Sequence, residues 1–265
     1  MIRILYHHKG KEQAFTIPAA WDELSRKQLL KLAILLHSSS QAPALHTQAR
    51  ILQLLTGKGR LAFIRIPAEV RFKALEHLSW MENNTLTRQL LPSYKGFYGP
   101  ASDFDNIVLA EFHHAELAYY NYIKSGEPEH LNELIAVLYR RPKAGYNKKL
   151  NKEGDTRSAF NYAEAAYNKK KIATWSKAFK LAVLLWYDGC RQNIVKLYPA
   201  AFNSAQDPSG TAYFQGLYKM IRSLSGDKYG TFDQVEKLPL HTAFMEIICS
   251  LEEAAELQNK MHSNI

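Results

Sequence analysis

Apolar residues recur along this chain with two different periods. Ile2, Ile4 and Tyr6 alternate with polar neighbours, a turn falls at His8-Lys9-Gly10, and Phe15 and Ile17 resume the alternation, which predicts a β-hairpin closed by Pro18. From Ser25 the period becomes helical. Ser25 is an N-cap with Gln28 at the third helical position, and Leu29, Leu32, Ala33 and Leu36 form the stripe behind it, so a helix is expected over residues 25–37. Leu45, Ala49, Leu52 and Leu55 repeat that spacing up to Gly57, a left-handed C-cap. Leu61 to Ile66 reads as a short strand, and Pro67 opens a helix through Val70, Ala74, Leu78 and Met81.

Gly and Pro then concentrate from Pro92 to Pro100 and mark a boundary. Ser102, three residues before Asp105, is expected to start a long helix with Phe104, Val108, Phe112, Ala115, Tyr119 and Tyr122 on one face and Gly126 at its end. A shorter helix from Pro128, with Leu131, Leu134, Ile135 and Leu138, completes a helical hairpin. Residues 141–154 read as a solvated loop. Phe160, Ala163 and Tyr167 then mark one helical face, and Trp175, Ala178, Ala182, Leu185 and Gly189 another. Phe214, Leu217, Tyr218, Ile221 and Leu224 precede Gly226, and Pro239 begins a C-terminal helix with Leu240, Phe244, Ile247, Leu251, Ala254 and Gln258. The pattern is mainly α: a multi-helix, bundle-like body with a small N-terminal β-hairpin and one or two further short strands. The division is 1–98, hairpin plus helices, and 99–265, a helical domain with a basic loop at about 140–157, with a single continuous domain as the alternative.

Charge changes this picture in one place. The window from Arg140 to Lys180 holds 12 Lys and Arg against Glu153, Asp155 and Glu164, which accounts for the whole net charge of +9 and leaves the remainder balanced. A neutral protein with one cationic segment presents a local field that selects phosphates or acidic protein surfaces. The cations are Arg140, Arg141, Lys143, Lys148, Lys149, Lys152, Arg157, Lys169, Lys170, Lys171, Lys177 and Lys180. Tyr146, Phe160, Tyr162, Tyr167 and Trp175 interleave with them, a mixture that can track phosphates and stack bases. Phe160, Tyr167 and Trp175, at helical spacing, serve equally as core, leaving the lysines solvated.

Composition, 46% apolar and 22% charged, is that of a folded globular chain. Cys190 and Cys249 have no CxxC spacing, which suits a reducing compartment, and the first residues lack the apolar stretch of a secretory signal, so a cytoplasmic protein is expected. No apolar run is long enough to span a bilayer.

Motifs for chemistry are sparse. Glu111 and His114 stand three residues apart on a predicted helix, the spacing of di-iron carboxylate proteins, and Glu127 and His130 repeat it across a helix start. A di-iron site needs more glutamates on more helices, so Glu111 and His114 are weak metal candidates and no cofactor is predicted. His7-His8 is a turn pair. Gly57-Lys58-Gly59 resembles a phosphate loop only superficially and reads as a helix C-cap followed by a turn. GxSxG, Walker A, GxGxxG and HExxH are absent, so no catalytic residue is assigned and the protein is read as a non-enzyme.

The phrase from Ile17 to Leu30 (IPAAWDELSRKQLL), then Phe97-Tyr98-Gly99-Pro100-Ala101, and the stretch from Leu134 to Pro142 (LIAVLYRRP) resemble a group of poorly characterised phage and prophage proteins of Bacteroidetes-type bacteria, found among virion-morphogenesis genes. The resemblance runs in order over roughly residues 1–200. It implies a structural component or assembly factor of a tail or neck, in the cytoplasm or incorporated into a phage particle, and it assigns no functional residue. Partners are then other phage structural or assembly proteins, or further copies of the chain, met by the basic patch. The 15 tyrosines suit such contacts, because a tyrosine offers large area at low entropic cost. The alternative is a nucleic-acid-binding module using the same patch. The third reading is a metal-dependent enzyme built on Glu111 and His114.

Overall fold

The computed structural model describes residues 1–38, 44–146, 155–202, 222, 224–226 and 229–263. Among them the protein is mainly helical, with eleven α-helices and two small antiparallel hairpins. The expected helix through Phe214, Leu217, Tyr218 and Ile221 lies outside the described residues. No helix among the described residues is long and apolar enough to cross a membrane. Contacts divide the chain into two units, Met1–Leu91 with Trp175–Gln192, and Pro92–Thr174 with Asn193–Ile265. Against the sequence-based division, the first break falls at Leu91 and Pro92, and residues Trp175–Gln192 join the N-terminal unit.

In the first unit, β1 (Ile2–His8) and β2 (Lys11–Ile17) pair with Ile4 opposite Phe15 and Tyr6 opposite Gln13. Lys9 and Gly10 both have positive φ, the backbone of a two-residue hairpin turn whose twist matches its strands. α1 (Arg26–Ser38) begins on the reciprocal cap read from the sequence. The Ser25 backbone N–H donates to Gln28 Oε1 at 2.9 Å and the Gln28 N–H to Ser25 Oγ at 3.3 Å. Leu29, Leu32, Ala33 and Leu35 are buried, and α2 (Ala44–Leu55) packs beside them. Gln28 Nε2 donates to the Leu55 carbonyl at 2.9 Å, joining the start of one helix to the end of the other.

The expected strand at Leu61 to Ile66 is instead a short helix, α3 (Arg60–Ile64). Phe63 and Ile66, three residues apart, are the buried positions while Leu61 and Ile64 face solvent, a helical rather than alternating burial. α4 (Ala68–Leu75) follows and tightens into a 3₁₀ turn over Glu76–Met81. Trp21 donates its indole N–H to the Asn83 carbonyl at 2.8 Å and meets Trp80 edge-on, with 5.3 Å between ring centroids.

The rest of this unit's core comes from a later part of the chain. α8 (Lys177–Leu197) contributes its residues up to Gln192, with Phe179, Ala182, Val183, Trp186 and Cys190 buried. Asn84 Nδ2 donates to the Leu185 carbonyl at 2.7 Å and to Asp188 Oδ2 at 2.9 Å, and the Trp186 indole donates to the Thr87 carbonyl at 3.1 Å. The helix can approach this closely because position 189 is glycine: a Cβ there would lie 2.4 Å from the Leu86 carbonyl oxygen. All four tryptophans, Trp21, Trp80, Trp175 and Trp186, belong to this unit.

In the second unit, β3 (Ser93–Tyr94) and β4 (Phe97–Tyr98) form the other hairpin, turned at Lys95-Gly96 with the same two positive φ angles. α5 (Leu109–Ser125) and α6 (Pro128–Leu138) form the expected helical hairpin, with Gly126 left-handed between them. α5 starts later than its periodicity suggests. Asp103 and Phe104 have φ of 53° and 62°, which no α-helix accommodates, and Val108 is extended and bridges Pro239 before the helix begins. Asp103 is held by Asn193, whose Nδ2 donates to Oδ1 at 2.8 Å, while Phe104 is fully buried against Phe112.

α7 (Tyr162–Ala173) buries Ala165, Asn168 and Ile172, so the expected face of Phe160, Ala163 and Tyr167 is not the one that packs; Tyr167 is 82% exposed. α9 (Pro199–Phe202), α10 (Phe232–Glu236) and α11 (Leu240–Ser263) complete the unit. The first turns of α11 are core, with Ala243, Phe244 and Ile247 buried and Phe244 edge-on to Phe112 at 5.6 Å; Leu251 is exposed. Cys190 is buried and Cys249 exposed, and neither is in a disulfide.

Candidate functional site

Glu111 stands in the first turn of α5 with no exposure at all. An isolated carboxylate there would be costly, because burial removes the water that stabilises its charge. Two arginines of the basic window answer it. Arg140 Nη1 lies 2.9 Å from Glu111 Oε2, and both terminal nitrogens of Arg157 reach the same carboxylate. Asp155 closes the cluster, its Oδ2 lying 2.9 Å from Arg157 Nη2 and 3.5 Å from Arg140 Nη2. Arg157 also donates to the carbonyls of Leu138 at 3.0 Å and Asn106 at 2.8 Å, and Arg140 Nε donates to the Ser158 carbonyl at 2.9 Å. Burial opposes the charge on Arg157, but Glu111 and Asp155 outweigh it and hold the guanidinium above the ordinary arginine range.

The backbone around these arginines is paired too. Arg140 exchanges two hydrogen bonds with Tyr98, at 2.8 and 3.0 Å, and Pro142 bridges Arg157 through Lys143 N–H to Thr156 O and Ser158 N–H to Arg141 O. The expected solvated loop is therefore fastened at both ends, and its middle, with Lys148, Lys149 and Lys152, lies outside the described residues. Arg140 and Arg157 are corrections to the outward-facing patch. Both are buried and spent on Glu111 and Asp155.

The other cations sort by location. Lys169 pairs with Glu129 at 2.8 Å and approaches Glu133 at 4.0 Å; the hydrogen bond to Glu129 is the main reason its ammonium holds its proton more tightly than usual. Lys177 and Lys180 lie in the first unit, and partial burial lowers the proton affinity of Lys180. Arg141, Lys143, Lys170 and Lys171 remain as exposed cations of the second unit. Two of them share a ring. The Arg141 guanidinium lies 5.1 Å and the Lys171 ammonium 5.5 Å from the centroid of Phe97, which is wholly buried on β4. Nothing in the sequence spacing announces this meeting of residues 97, 141 and 171.

The interleaved aromatics are mostly occupied. Trp175 is core and meets Phe179 at 5.5 Å, Tyr146 meets Tyr98 at 6.2 Å, and Phe160 lies against His114 at 5.6 Å. Tyr162 stacks on His114 at 4.4 Å and donates its hydroxyl to Glu133 at 3.1 Å. Tyr167 offers its ring to solvent, one helical turn before Lys170 and Lys171.

The Glu111 and His114 pair does not form a shared donor site. Glu111 faces guanidinium groups, whereas His114 stacks on Tyr162 and meets Phe160 at a tilt. Among the described residues no group of three or more His, Cys, Asp or Glu is placed to hold a metal ion. The histidines carry a pH expectation instead. Burial, and then its neighbour His114, lowers the proton affinity of His113; burial lowers that of His114 against the pull of Glu133. The unfolded chain takes up those protons first as pH falls through about 6.5, so stability present at neutral pH is lost on acidification. A urea midpoint lower at pH of about 5.5 than at about 7.5, with a smaller difference in His113→Gln, is the expected result. A midpoint indifferent to pH overturns it.

No protein-family model, curated protein or solved structure matches this chain.

Proposed function

We propose that the protein is a non-enzymatic structural or assembly component of phage origin, acting through protein–protein contacts in which exposed cations of the second unit meet an acidic partner surface. The observation that carries this is the set Arg141, Lys143, Lys170 and Lys171, left solvent-facing where the rest of that unit's described basic window is neutralised. Two of the four are seated on Phe97, and such cations are partly pre-ordered for a partner. Tyr167 adds contact area beside them. The resemblance to virion-morphogenesis proteins supplies the kind of partner, a tail or neck component or another copy of the chain. The nucleic-acid alternative is weaker on the same ground, since most of the aromatic rings that would stack on bases are engaged inside the protein.

The test is complementation of a gene deletion in a producing phage. The variant R141E/K143E/K170E/K171E is expected to fold with unchanged helicity and to reduce particle yield by about tenfold or more, because like-charge contacts across an interface are strongly unfavourable. Normal particle yield from that variant sinks the proposal. Retention of nucleic acid on a filter, lost in the same variant, would transfer the surface to the alternative reading.

A further inference from the structure

A cleft of about 660 Å³ opens within the first unit where α1 faces α2 and the loop that follows it. Its charged lining is Lys27, Lys31, Arg50 and Lys58, and none of its lining residues is acidic. Outside the basic window this sequence carries equal numbers of acids and bases, so four cations gathered without a carboxylate are a local segregation rather than a reflection of composition. Among the described residues none of the four enters an ion pair.

We propose that this cleft binds a phosphate-ester polyanion, of the size of a nucleoside polyphosphate or of a few linked nucleotides. Lys27 and Lys31 are four residues apart on α1, where like charges repel across one helical turn, so the arrangement weakens the helix unless an anion offsets it. Arg50 faces them from α2, bringing a planar fork that suits phosphate oxygens. Lys58 comes from a loop held in place. Its backbone N–H donates to Thr56 Oγ1 at 3.3 Å, and the Thr56 hydroxyl donates to the Gln53 carbonyl at 2.7 Å. The floor is fixed as well, by the bond from Gln28 to the Leu55 carbonyl. Volume and composition fit a small charged ligand, because such sites run about 300–1,000 Å³ and combine apolar walls, here Ile34 and Leu54, with a few placed polar groups.

Gly59 adds an independent observation. Its φ of −64° is open to any residue, and a Cβ on it would meet nothing within 4 Å. Neither conformation nor internal packing calls for glycine there, and Ser, Asn or Asp would cap α3 better. A bare backbone at the mouth of a cationic cleft leaves room for a ligand to approach the chain closely. This inference concerns a different unit from the proposed partner surface and does not depend on it.

Calorimetric titration of the full chain with ATP and with inorganic tripolyphosphate, and anisotropy of a labelled single-stranded oligonucleotide, test the site. Saturable binding that weakens with salt is expected from at least one probe, reduced by about tenfold or more in K27Q/K31Q/R50Q/K58Q and changed by less than about twofold in K143Q/K170Q/K171Q. Should the quadruple variant fail to fold, K31Q/R50Q is read by the same criterion. Binding of ATP or tripolyphosphate assigns a free ligand, and binding of the oligonucleotide alone assigns a strand. No saturable binding by any probe, unaltered binding in the cleft variant, or an equal loss in the control variant overturns the proposal.

Discussion

Glu111→Gln is expected to lower the stability of the second unit by about 3–5 kcal/mol, the range for removing one partner of a buried charge cluster. The substitution keeps the shape and deletes the charge, leaving Arg140 and Arg157 to Asp155 alone, whose side chain is 22% exposed. Both arginines are nearly inaccessible and cannot turn outward to water without giving up their hydrogen bonds to the carbonyls of Ser158, Leu138 and Asn106. Most of the loss is thus the penalty of stranded guanidinium charge rather than the net worth of the pair. Accordingly Glu111→Leu combined with Arg157→Leu should cost less than the sum of the single changes. Urea unfolding followed by far-ultraviolet circular dichroism measures this, and a midpoint equal to that of the unaltered protein refutes it. Tryptophan emission is an internal comparison, since every indole reports on the other unit.

Gly189→Ala is expected to destabilise the first unit by about 3 kcal/mol, at the upper end of what overpacking a core costs. The added methyl would sit 2.4 Å from the Leu86 carbonyl oxygen and 2.8 Å from its nitrogen. Both are backbone atoms, so no side chain can swing aside. Relief requires α8 to lift, stretching the bonds from Asn84 to the Leu185 carbonyl and from Trp186 to the Thr87 carbonyl. The tryptophan-detected midpoint should fall accordingly. Gly59→Ala, where a Cβ meets open space and only the cap of α3 is weakened, is the comparison and should lower that midpoint far less.

What could be read from the sequence was local. The first hairpin, the Ser25–Gln28 cap and the α5–α6 hairpin turned at Gly126 each follow from residues a few positions apart, where period and cap chemistry act directly. The errors share one cause, a distant partner. Leu61 to Ile66 has strand composition but, among the described residues, no strand beside it, and α5 begins late because Val108 is bridged to Pro239. The same holds for the site. Arg140 and Arg157 look like members of a basic run, and what removes them from it is Glu111, dozens of residues earlier. The acid that sequence spacing matched to His114 for a metal was serving those arginines. Arg141 and Lys171 were visible as charge, whereas their convergence on Phe97 was not.

The interleaving of the two units bears on how the molecule is made. While a ribosome delivers this chain from its N-terminus, the first ninety or so positions emerge without the helix that carries Trp186 and Gly189, and no amount of waiting lets them finish their interior. That interior closes only after the intervening stretch has been synthesised and residue 192 has cleared the exit tunnel. Until then the nascent N-terminal part shows exposed apolar surface, the kind of species that chaperones hold.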